Sequence, residues 1–429
     1  MKKLFVFFTT LFLMASSLFI SNANASGYML NEYSVTSLGR AFAGLGGVGD
    51  DLSAIASNPA GLSLFDRTIG AQVGVTVITL NGNFNGTVTS LNGKENGKAR
   101  VEIQEAVPNF FAAYSINDWI KVGLGVYVPF GLGTEYAESS IVRYSAIKSD
   151  LQVIEIAPSI SFNLWKGLSV GATVDIQHGQ AELTQKVATP TGNEIYPIAT
   201  LDTKVKGDAW SAGATIGIMY DFGETSIGDT SRIGLSYKSQ VKHHLLGKIE
   251  KSNVNPAILS QIIAGKSNGI ADMYLPNVVT LSAYHKFNAP VALSATLRYI
   301  QWSIFDSLEI EGSGLPAAHY NWRDTISAHI GVDYFAHEAV SLRAGFAYDM
   351  TPIRDAAHRT ARIPDNDRYM LSLGLSAMPH KNWQIDVGYT HMFIAESSIN
   401  NTHAGVNVNG TYNYDMLSYL IGVQVQYKF

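Results

Sequence analysis

The end of the chain carries the sequence feature that most constrains its fold. In the stretch LSYLIGVQVQYKF, every second residue up to the last one is large and apolar. The residues between them are Leu420, Gly422, Gln424, Gln426 and Lys428. This period of two predicts a β-strand with one apolar face, made of Tyr419, Ile421, Val423, Val425, Tyr427 and Phe429. An apolar face that ends in aromatic residues is typical of a lipid-facing strand of a transmembrane barrel. The alternative is the last strand of a soluble sandwich.

The first 25 residues predict export from the cytoplasm. Lys2 and Lys3 precede an apolar run over residues 4–20, and Ala23-Asn24-Ala25 offers a small-residue cleavage site. This order is typical of a secretory signal peptide, so the mature chain is expected to begin at Ser26. An uncleaved anchor helix is the alternative. An exported chain of this kind is periplasmic, extracellular or an outer-membrane barrel.

The body of the chain repeats the alternation of its last strand. Fourteen segments are predicted to be strands: 67–83, 100–116, 119–129, 148–164, 167–187, 202–222, 231–249, 276–287, 291–311, 319–335, 339–351, 366–377, 383–395 and 412–429. Short turns alternate with longer polar connections at 84–99, 188–201, 250–275 and 396–411. An even strand number, with short turns on one rim and long loops on the other, indicates a bacterial outer-membrane barrel.

The sheet must close on itself if it crosses lipid. Every backbone N–H and C=O in hydrocarbon needs a partner within the protein, and an open edge strand has none. Fourteen strands enclose a lumen that wall side chains alone do not fill. The predicted fold is therefore an all-β, antiparallel transmembrane barrel over residues 67–429, and it is either plugged or an open pore. The net charge of −5 and the absence of a basic run argue against a nucleic-acid partner.

Residues 26–66 lie between the predicted signal peptide and the first strand. Asp50-Asp51 can cap a short helix, and Pro59 disfavours helix at Asn58 and ends it. Small apolar residues in AFAGLGGVG could pack against a barrel wall. The segment is expected to plug the lumen as a small, mostly helical hatch. A disordered periplasmic tail is the alternative.

Four motifs resemble the FadL family of outer-membrane transporters of long-chain fatty acids. They are LNEYSVTSLGRAFAG at 30–44, Asp50-Asp51, Asn58-Pro59-Ala60, and RIPDNDRYMLSLG at 362–374. The resemblance covers the mature chain. It implies a fourteen-stranded barrel, closed by an N-terminal hatch that carries the Asn58-Pro59-Ala60 motif, and diffusive uptake of hydrophobic molecules. Family members take up fatty acids or, in some branches, aromatic hydrocarbons such as toluene.

The resemblance also implies where the substrate passes. It places Ser26, Gly27 and Tyr28 close to the bound ligand, so that movement of this terminus opens the route. It implies a side exit at a kink in the third strand, for which Pro129-Phe130-Gly131 is the candidate because Pro lacks a ladder N–H. The alternative is that Pro129 only ends the strand.

Other candidates concern capture and the substrate's head group. Ile258, Leu259, Ile262 and Ile263 have helical spacing in a long loop and could capture lipid, or could cover the barrel mouth. A carboxylate substrate would favour a basic group in the lumen. By the resemblance such groups lie on the fifth and tenth strands, where this chain offers His178 and His319; Arg323 and Arg343 are substitutes by position. For each, the alternative is an ion network with wall acids such as Glu155, Asp175 and Asp333.

Together these observations predict a non-enzymatic uptake channel in the outer membrane of a Gram-negative bacterium. Its expected substrate is a long-chain fatty acid, with an aromatic hydrocarbon of the toluene type as the alternative. An outer-membrane lipase or protease, and a general porin or adhesin, are less favoured because no catalytic set stands out and a hatch is expected. No metal or cofactor is expected. Expected partners are outer-membrane lipid or lipopolysaccharide and the barrel assembly machinery, and the chain is expected to be a monomer.

Overall fold

The computed structural model describes residues 27–429, so that Ser26 and the predicted signal peptide lie outside the described residues. Eighteen strand segments form one sheet, and they make up fourteen wall strands because four strands are each interrupted once. The wall strands are β1 Ile69–Ser90, β2 Gly93–Ser115, β3 Ile120–Glu135, β4 Lys148–Trp165, β5 Leu168–Pro190, β6 Ile198–Glu224, β7 Thr230–Lys238 with Val241–Asn255, β8 Gly265–Leu275 with Val278–Lys286, β9 Val291–Ile300, β10 Thr325–His337, β11 Val340–Asp349, β12 Arg368–His380, β13 Trp383–Ile394 with Ser397–His403, and β14 Val406–Tyr414 with Tyr419–Lys428.

The sheet closes because β14 pairs with β1 in antiparallel register. Gly70 faces Lys428 and Thr79 faces Tyr419 along this seam. The last strand has the alternation that its sequence predicts: Ile421 and Val423 are exposed on the outer face, whereas Gln424 and Gln426 are buried inside. The predicted fourteen-stranded barrel is therefore confirmed.

Several predicted strand bounds are wrong. The loops predicted at 84–99 and 396–411 are mostly strand, since β1 and β2 meet in a tight hairpin and β13 and β14 extend in the same way. The predicted ninth and tenth strands are too long. β9 ends at Ile300, and β10 begins only at Thr325, because the aromatic residues between them turn into the lumen instead of facing lipid.

The N-terminal segment 27–66, called the hatch below, lies inside the barrel. It contains three short helical turns: α1 Val35–Leu38, α2 Ala54–Ser57 and a 3₁₀ helix Pro59–Leu64. Nearly all of its residues are buried. Its length is too small for a core of its own, so the wall supplies the other side of its packing. Among residues 27–429, no helix is long and apolar enough to cross a membrane.

The remaining short elements lie in the loops. They are α3 Ser260–Ile263, 3₁₀ turns at Ile141–Tyr144, Ala257–Leu259 and Trp302–Ile304, and a ribbon that pairs Ser307–Leu308 with Ala318–His319.

Candidate substrate path through the barrel

Asn58 fixes the second half of the hatch to the wall. Its side-chain oxygen accepts a hydrogen bond from the Ala60 N–H at 3.1 Å, which caps the 3₁₀ helix that begins at Pro59. Its side-chain amide donates to the carbonyls of Gly46 and Ile218, at 2.9 and 3.2 Å. The Asn-Pro pair therefore ends α2, starts the next turn and ties the hatch to β6.

Glycines in the wall let the hatch backbone approach this closely. A Cβ at Gly217 would lie 1.9 Å from Asn58 Oδ1, and one at Gly171 would lie 2.4 Å from the Pro59 carbonyl carbon. A side chain at either position would push the hatch away from β5 and β6. These glycines and the Asn58-Pro59 pair form one seat, called the Asn58 seat below.

A buried ion network holds the middle of the hatch. The Arg40 guanidinium lies 2.8 Å from an Asp50 carboxylate oxygen and 3.0 Å from Asp333 of β10. Arg343 of β11 shares the Asp333 carboxylate at 2.8 Å. Burial alone would raise the pKa of the Asp50 carboxyl, but the Arg40 charge holds that pKa well below its usual range. Each charge of this network is thus paired.

The first residues of the hatch, 27–33, form an arm that lies along β3. The Leu30 N–H donates to the Pro129 carbonyl at 2.9 Å, and the Gly131 N–H donates to the Tyr28 carbonyl at 3.0 Å. The Tyr28 ring enters a buried aromatic cluster, whose other members are Phe130, Trp302, Phe305, Tyr320 and Trp322. Its ring centroid lies 4.7 Å from that of Trp302. The arm is therefore held by two backbone hydrogen bonds to β3, by ring packing, and by a hydrogen bond of 3.1 Å from the Gly27 N–H to the Asp365 carboxylate.

The wall has a break beside the arm. β2 and β3 pair only from Ser115–Lys121 to Phe110–Val126. Beyond that point, within the described chain, residues 93–109 of β2 pair with β1 and residues 127–135 of β3 pair with β4, but no ladder pair joins β2 to β3. A bulge between Tyr127 and Phe130 shifts the β3 register at the same place.

The break, called the gap below, extends along residues 127–135 of β3, a stretch that includes Pro129, Phe130 and Gly131. β3 does not end at Pro129, however, and continues to Glu135. The expectation of a strand that stops at residue 129 is therefore wrong. Pro129 lacks the N–H that a ladder would need, so its place in the bulge has a direct physical reason.

A cavity of about 330 Å³ lies behind the gap. It is called the inner cavity and is bounded by the arm at Met29 and Leu30, by β3 at Leu132 and Gly133, and by β2 at Ile103. Its lining mixes apolar residues with charged ones, among them Arg368 and Glu105. Cavities of roughly 300–1,000 Å³ are the size that holds small ligands.

A second cavity, of about 470 Å³, lies among the extracellular loops and is called the outer cavity. Leu308, Leu315 and Tyr320 give it an apolar side, and Arg362 and His403 give it a basic side. Arg362 lines this cavity and the adjacent Ile363 lines the inner one. The aromatic cluster reaches from Tyr28 at the inner cavity to Tyr320 at the outer, so it separates the two.

The four apolar residues of the predicted capture loop divide into two pairs. Ile258 and Ile262 are 69% and 81% exposed. Leu259 and Ile263 instead pack on a small cluster with Ala199, Leu201 and Val254. The loop therefore presents an apolar tip on a folded base, and both roles considered for it, capture and cover, stay open.

Two of the basic residues expected to face a substrate do not do so. His178 lies on the outer surface of β5, where its ring packs on the exposed Trp210 and its Nε2 lies 3.2 Å from Asp208. The expected lumen position is wrong because alternation turns Gln177 and Gly179 inward instead. Arg343 is in the lumen, but it belongs to the ion network of the hatch, as the alternative expectation had it.

The other two basic residues are not on the tenth strand. His319 lies on the short ribbon with Ser307, at the outer cavity. Arg323 lies before the start of β10, where its backbone N–H donates to the Pro352 carbonyl. The arginine that lines the outer cavity is Arg362. It begins the RIPDNDRY motif, and nothing in its local sequence pattern distinguishes it as a ligand-facing group.

Comparison with known proteins identifies the family. Residues 16–429 match the model of the family described as "Outer membrane protein transport protein (OMPP1/FadL/TodX)". Outer membrane protein P1 of Haemophilus influenzae is 28% identical, with all of both chains covered. A long-chain fatty acid transport protein of Escherichia coli is also 28% identical, over 88% of this chain and 89% of its own.

Solved structures agree in fold. The crystal structure of a Pseudomonas aeruginosa FadL homologue matches with a TM-score of 0.85 and 23% identity, over 94% of this chain and 100% of its own. The Ralstonia pickettii toluene transporter TbuX matches with a TM-score of 0.63 and 21% identity, over 88% and 94% of the two chains. The chain therefore belongs to the OMPP1/FadL/TodX family of outer-membrane proteins that transport hydrophobic compounds.

Proposed function

We propose that the protein is a passive channel for the uptake of long-chain fatty acids across the outer membrane. The substrate enters the outer cavity, passes the aromatic cluster when the arm moves, reaches the inner cavity and leaves sideways through the gap. The observation that carries the proposal is the gap itself, with a cavity directly behind it. The name of the Escherichia coli relative, a long-chain fatty acid transport protein, supports the substrate class.

A sideways exit suits a hydrophobic substrate for a physical reason. Transfer from an apolar site into water costs a hydrocarbon chain about 0.8 kcal/mol per CH₂. An aqueous pore would demand that transfer, whereas a gap in the wall connects the cavity to membrane lipid. The hatch closes the straight route, since the Asn58 seat fixes it to β6 and the Arg40 network fixes it to β10.

Uptake of labelled oleate tests the proposal. A strain without its own transporter should gain oleate uptake when it produces this protein, compared with an empty vector. Gain for toluene without any gain for oleate would overturn the fatty-acid proposal and favour the aromatic branch, to which the toluene transporter of Ralstonia pickettii belongs.

Replacement of Asn58 and Pro59 by Ala should impair uptake while the barrel still assembles, because the wall pairs do not depend on the motif. Folded barrel is detected by its heat-modifiable mobility on a gel. Loss of that folded form would contradict the separate roles proposed for the hatch and the wall.

A further inference from the structure

Four wall strands continue past the lipid-facing part of the barrel as a small sheet. Its segments pair side by side, and they are 397–403 of β13, 406–414 of β14, 82–90 of β1 and 93–101 of β2. The inner face of this sheet packs on a buried cluster that includes Phe84 and Val408. Because side chains alternate between the two faces of a strand, the residues between these buried ones point away from the barrel.

The outer face of the sheet carries hydroxyl and amide side chains in a regular grid, called the polar array below. Cross-strand pairing forms three rows, which from β13 to β2 are Thr402-Asn407-Thr89-Lys94, Asn400-Asn409-Thr87-Asn96 and Ser398-Thr411-Asn85-Lys98. All of these side chains are exposed or half-buried, and none is apolar or acidic. The Thr87 hydroxyl donates to the Asn96 side-chain oxygen at 2.6 Å, so neighbouring groups lie one hydrogen bond apart. A ligand with many hydroxyl groups can therefore bind several of these side chains at once.

The edge of the polar array on β2 is basic. Lys94 and Lys98 are exposed, and neither forms an ion pair within residues 27–429. The acid between them in sequence, Glu95, points to the other face and pairs with Arg143 at 2.5 Å. The charge of this edge favours a ligand that carries anionic groups as well as hydroxyls.

The polar array lies next to the boundary of the lipid. Tyr419 pairs with Thr79, and its ring stacks on Tyr389 of the outer wall, which is typical of a membrane interface. Met416, between the two halves of β14, is 78% exposed at the same level. Asn85, in the row nearest the lipid, lies six residues beyond Thr79, roughly 20 Å along the strand. A lipid whose acyl chains lie against the wall would therefore hold a large head group beside the polar array.

We infer that the polar array binds the core oligosaccharide of a lipopolysaccharide molecule in the same outer membrane. The sugar hydroxyls exchange hydrogen bonds with the Asn and Thr side chains, each of which can both donate and accept. Phosphate or carboxylate groups of the core bind Lys94 and Lys98. The position of the array beside the lipid boundary favours a membrane lipid over a soluble glycan. The inference does not depend on the proposed function, since the array lies on the outside of the barrel.

Binding by the purified full-length protein in detergent tests the inference. The probes are rough lipopolysaccharide, which carries the core oligosaccharide, and its lipid A, which has the same acyl chains without the core. The wild type should bind rough lipopolysaccharide about tenfold more tightly than lipid A, which is the effect of one or two net hydrogen bonds. The variant Asn85→Ala/Thr87→Ala/Asn409→Ala should bind the two probes equally. Lys94→Gln/Lys98→Gln should weaken binding of rough lipopolysaccharide about tenfold and leave lipid A binding unchanged.

Ser267→Ala/Asn268→Ala is the matched control, because both residues are exposed on β8 and lie outside the polar array. This control should keep the wild-type preference, and gel mobility shows that each variant is folded. Equal binding of both probes by the wild type would overturn the inference even if the triple variant failed to fold. A folded triple variant that kept the preference would also overturn it. Binding of free, lipid-less core oligosaccharide as tightly as the whole molecule would assign the array to soluble glycans and so contradict the lipid ligand.

Discussion

The two ends of the hatch are held in different ways. The Asn58 end makes directional hydrogen bonds to the wall and lies so close to Gly171 and Gly217 that no side chain fits between. The arm, residues 27–33, has two backbone hydrogen bonds to β3 and the ring packing of Tyr28. It is also held by single side-chain hydrogen bonds, such as the one from the Gly27 N–H to the Asp365 carboxylate. The arm also borders the inner cavity. We propose that the Asn58 end is the fixed part and that the arm is the part that moves while the rest of the hatch stays in place.

The largest effect is expected from a change that removes the fixed part. In Gly171→Val, the new side chain occupies the position of the Pro59 backbone, so the hatch should leave its seat. Planar-bilayer recordings should then show a large steady ion current that the wild type lacks. Gly265→Ala is the control, because a Cβ there meets nothing within 4 Å. A folded Gly171→Val barrel without current would refute the role of the seat.

A smaller effect is expected from the ion network in the middle of the hatch. Arg40→Ala removes the nearest cation from Asp50 and leaves Asp333 with Arg343 as its partner. We therefore expect a loss of stability below the roughly 3–5 kcal/mol that is typical when a buried charge is left wholly unpaired. Guanidinium unfolding of the purified barrel, followed by gel mobility, measures the loss. The double variant Arg40→Ala/Asp333→Ala should lose less than the sum of the two single variants, since both members of one ion pair are removed together. Full additivity of the two losses would contradict a direct Arg40–Asp333 ion pair.

Loss of the Tyr28 ring should loosen the arm and leave the fixed end unchanged. In Tyr28→Ala the contacts with Trp302 and Phe305 are lost, and each aromatic pair contributes about 0.5–1.5 kcal/mol. Hydrogen exchange should therefore be about tenfold faster at the Leu30 amide, with no change at the Ala60 amide. Phe222→Ala, at an exposed position of the wall, is the control. Equal acceleration at both amides would mean that the hatch moves as one body.

The smallest effect is expected at the loop tip, far from both ends of the hatch. Ile258→Ser/Ile262→Ser removes exposed apolar surface and should raise, severalfold, the oleate concentration that gives half-maximal uptake. The maximal rate should not change, because the path inside the barrel is intact. Leu259→Ser is a contrasting variant, since Leu259 is buried and its loss should unfold the loop base. Unchanged uptake at low oleate in the Ile double variant would exclude a capture role.

The sequence predicts the strands of the wall better than it predicts the residues along the candidate substrate path. Wall strands follow from alternation, because each inward or outward position is set by a period of two and by contact with lipid. The same rule fails between residues 301 and 324, where Trp302, Tyr320 and Trp322 are apolar but face the lumen. Aromatic residues in a loop look like strand residues when only hydrophobicity is considered.

The head-group residues could not be predicted for a related reason. The position of His178 on the fifth strand makes it a candidate, but a shift of one residue in register turns a side chain from the lumen to the lipid face. Arg362 is an ordinary basic residue in the sequence. Its place at the outer cavity is visible only in the fold, because that cavity is lined by residues from distant parts of the chain.

The proposed function depends most on exit of the substrate through the gap between β2 and β3. A reversible cross-link across the gap tests this exit most directly. The chain has no cysteine, and a Cβ at Gly133 would lie 3.4 Å from Glu105 Cγ, so Glu105→Cys/Gly133→Cys can place a disulfide across the gap. Ala112→Cys/Leu124→Cys, on facing residues where the two strands already pair, is the control. We predict that the oxidised gap variant loses oleate uptake and regains it on reduction, while the control transports in both states. Undiminished uptake by the fully oxidised gap variant would contradict exit through the wall.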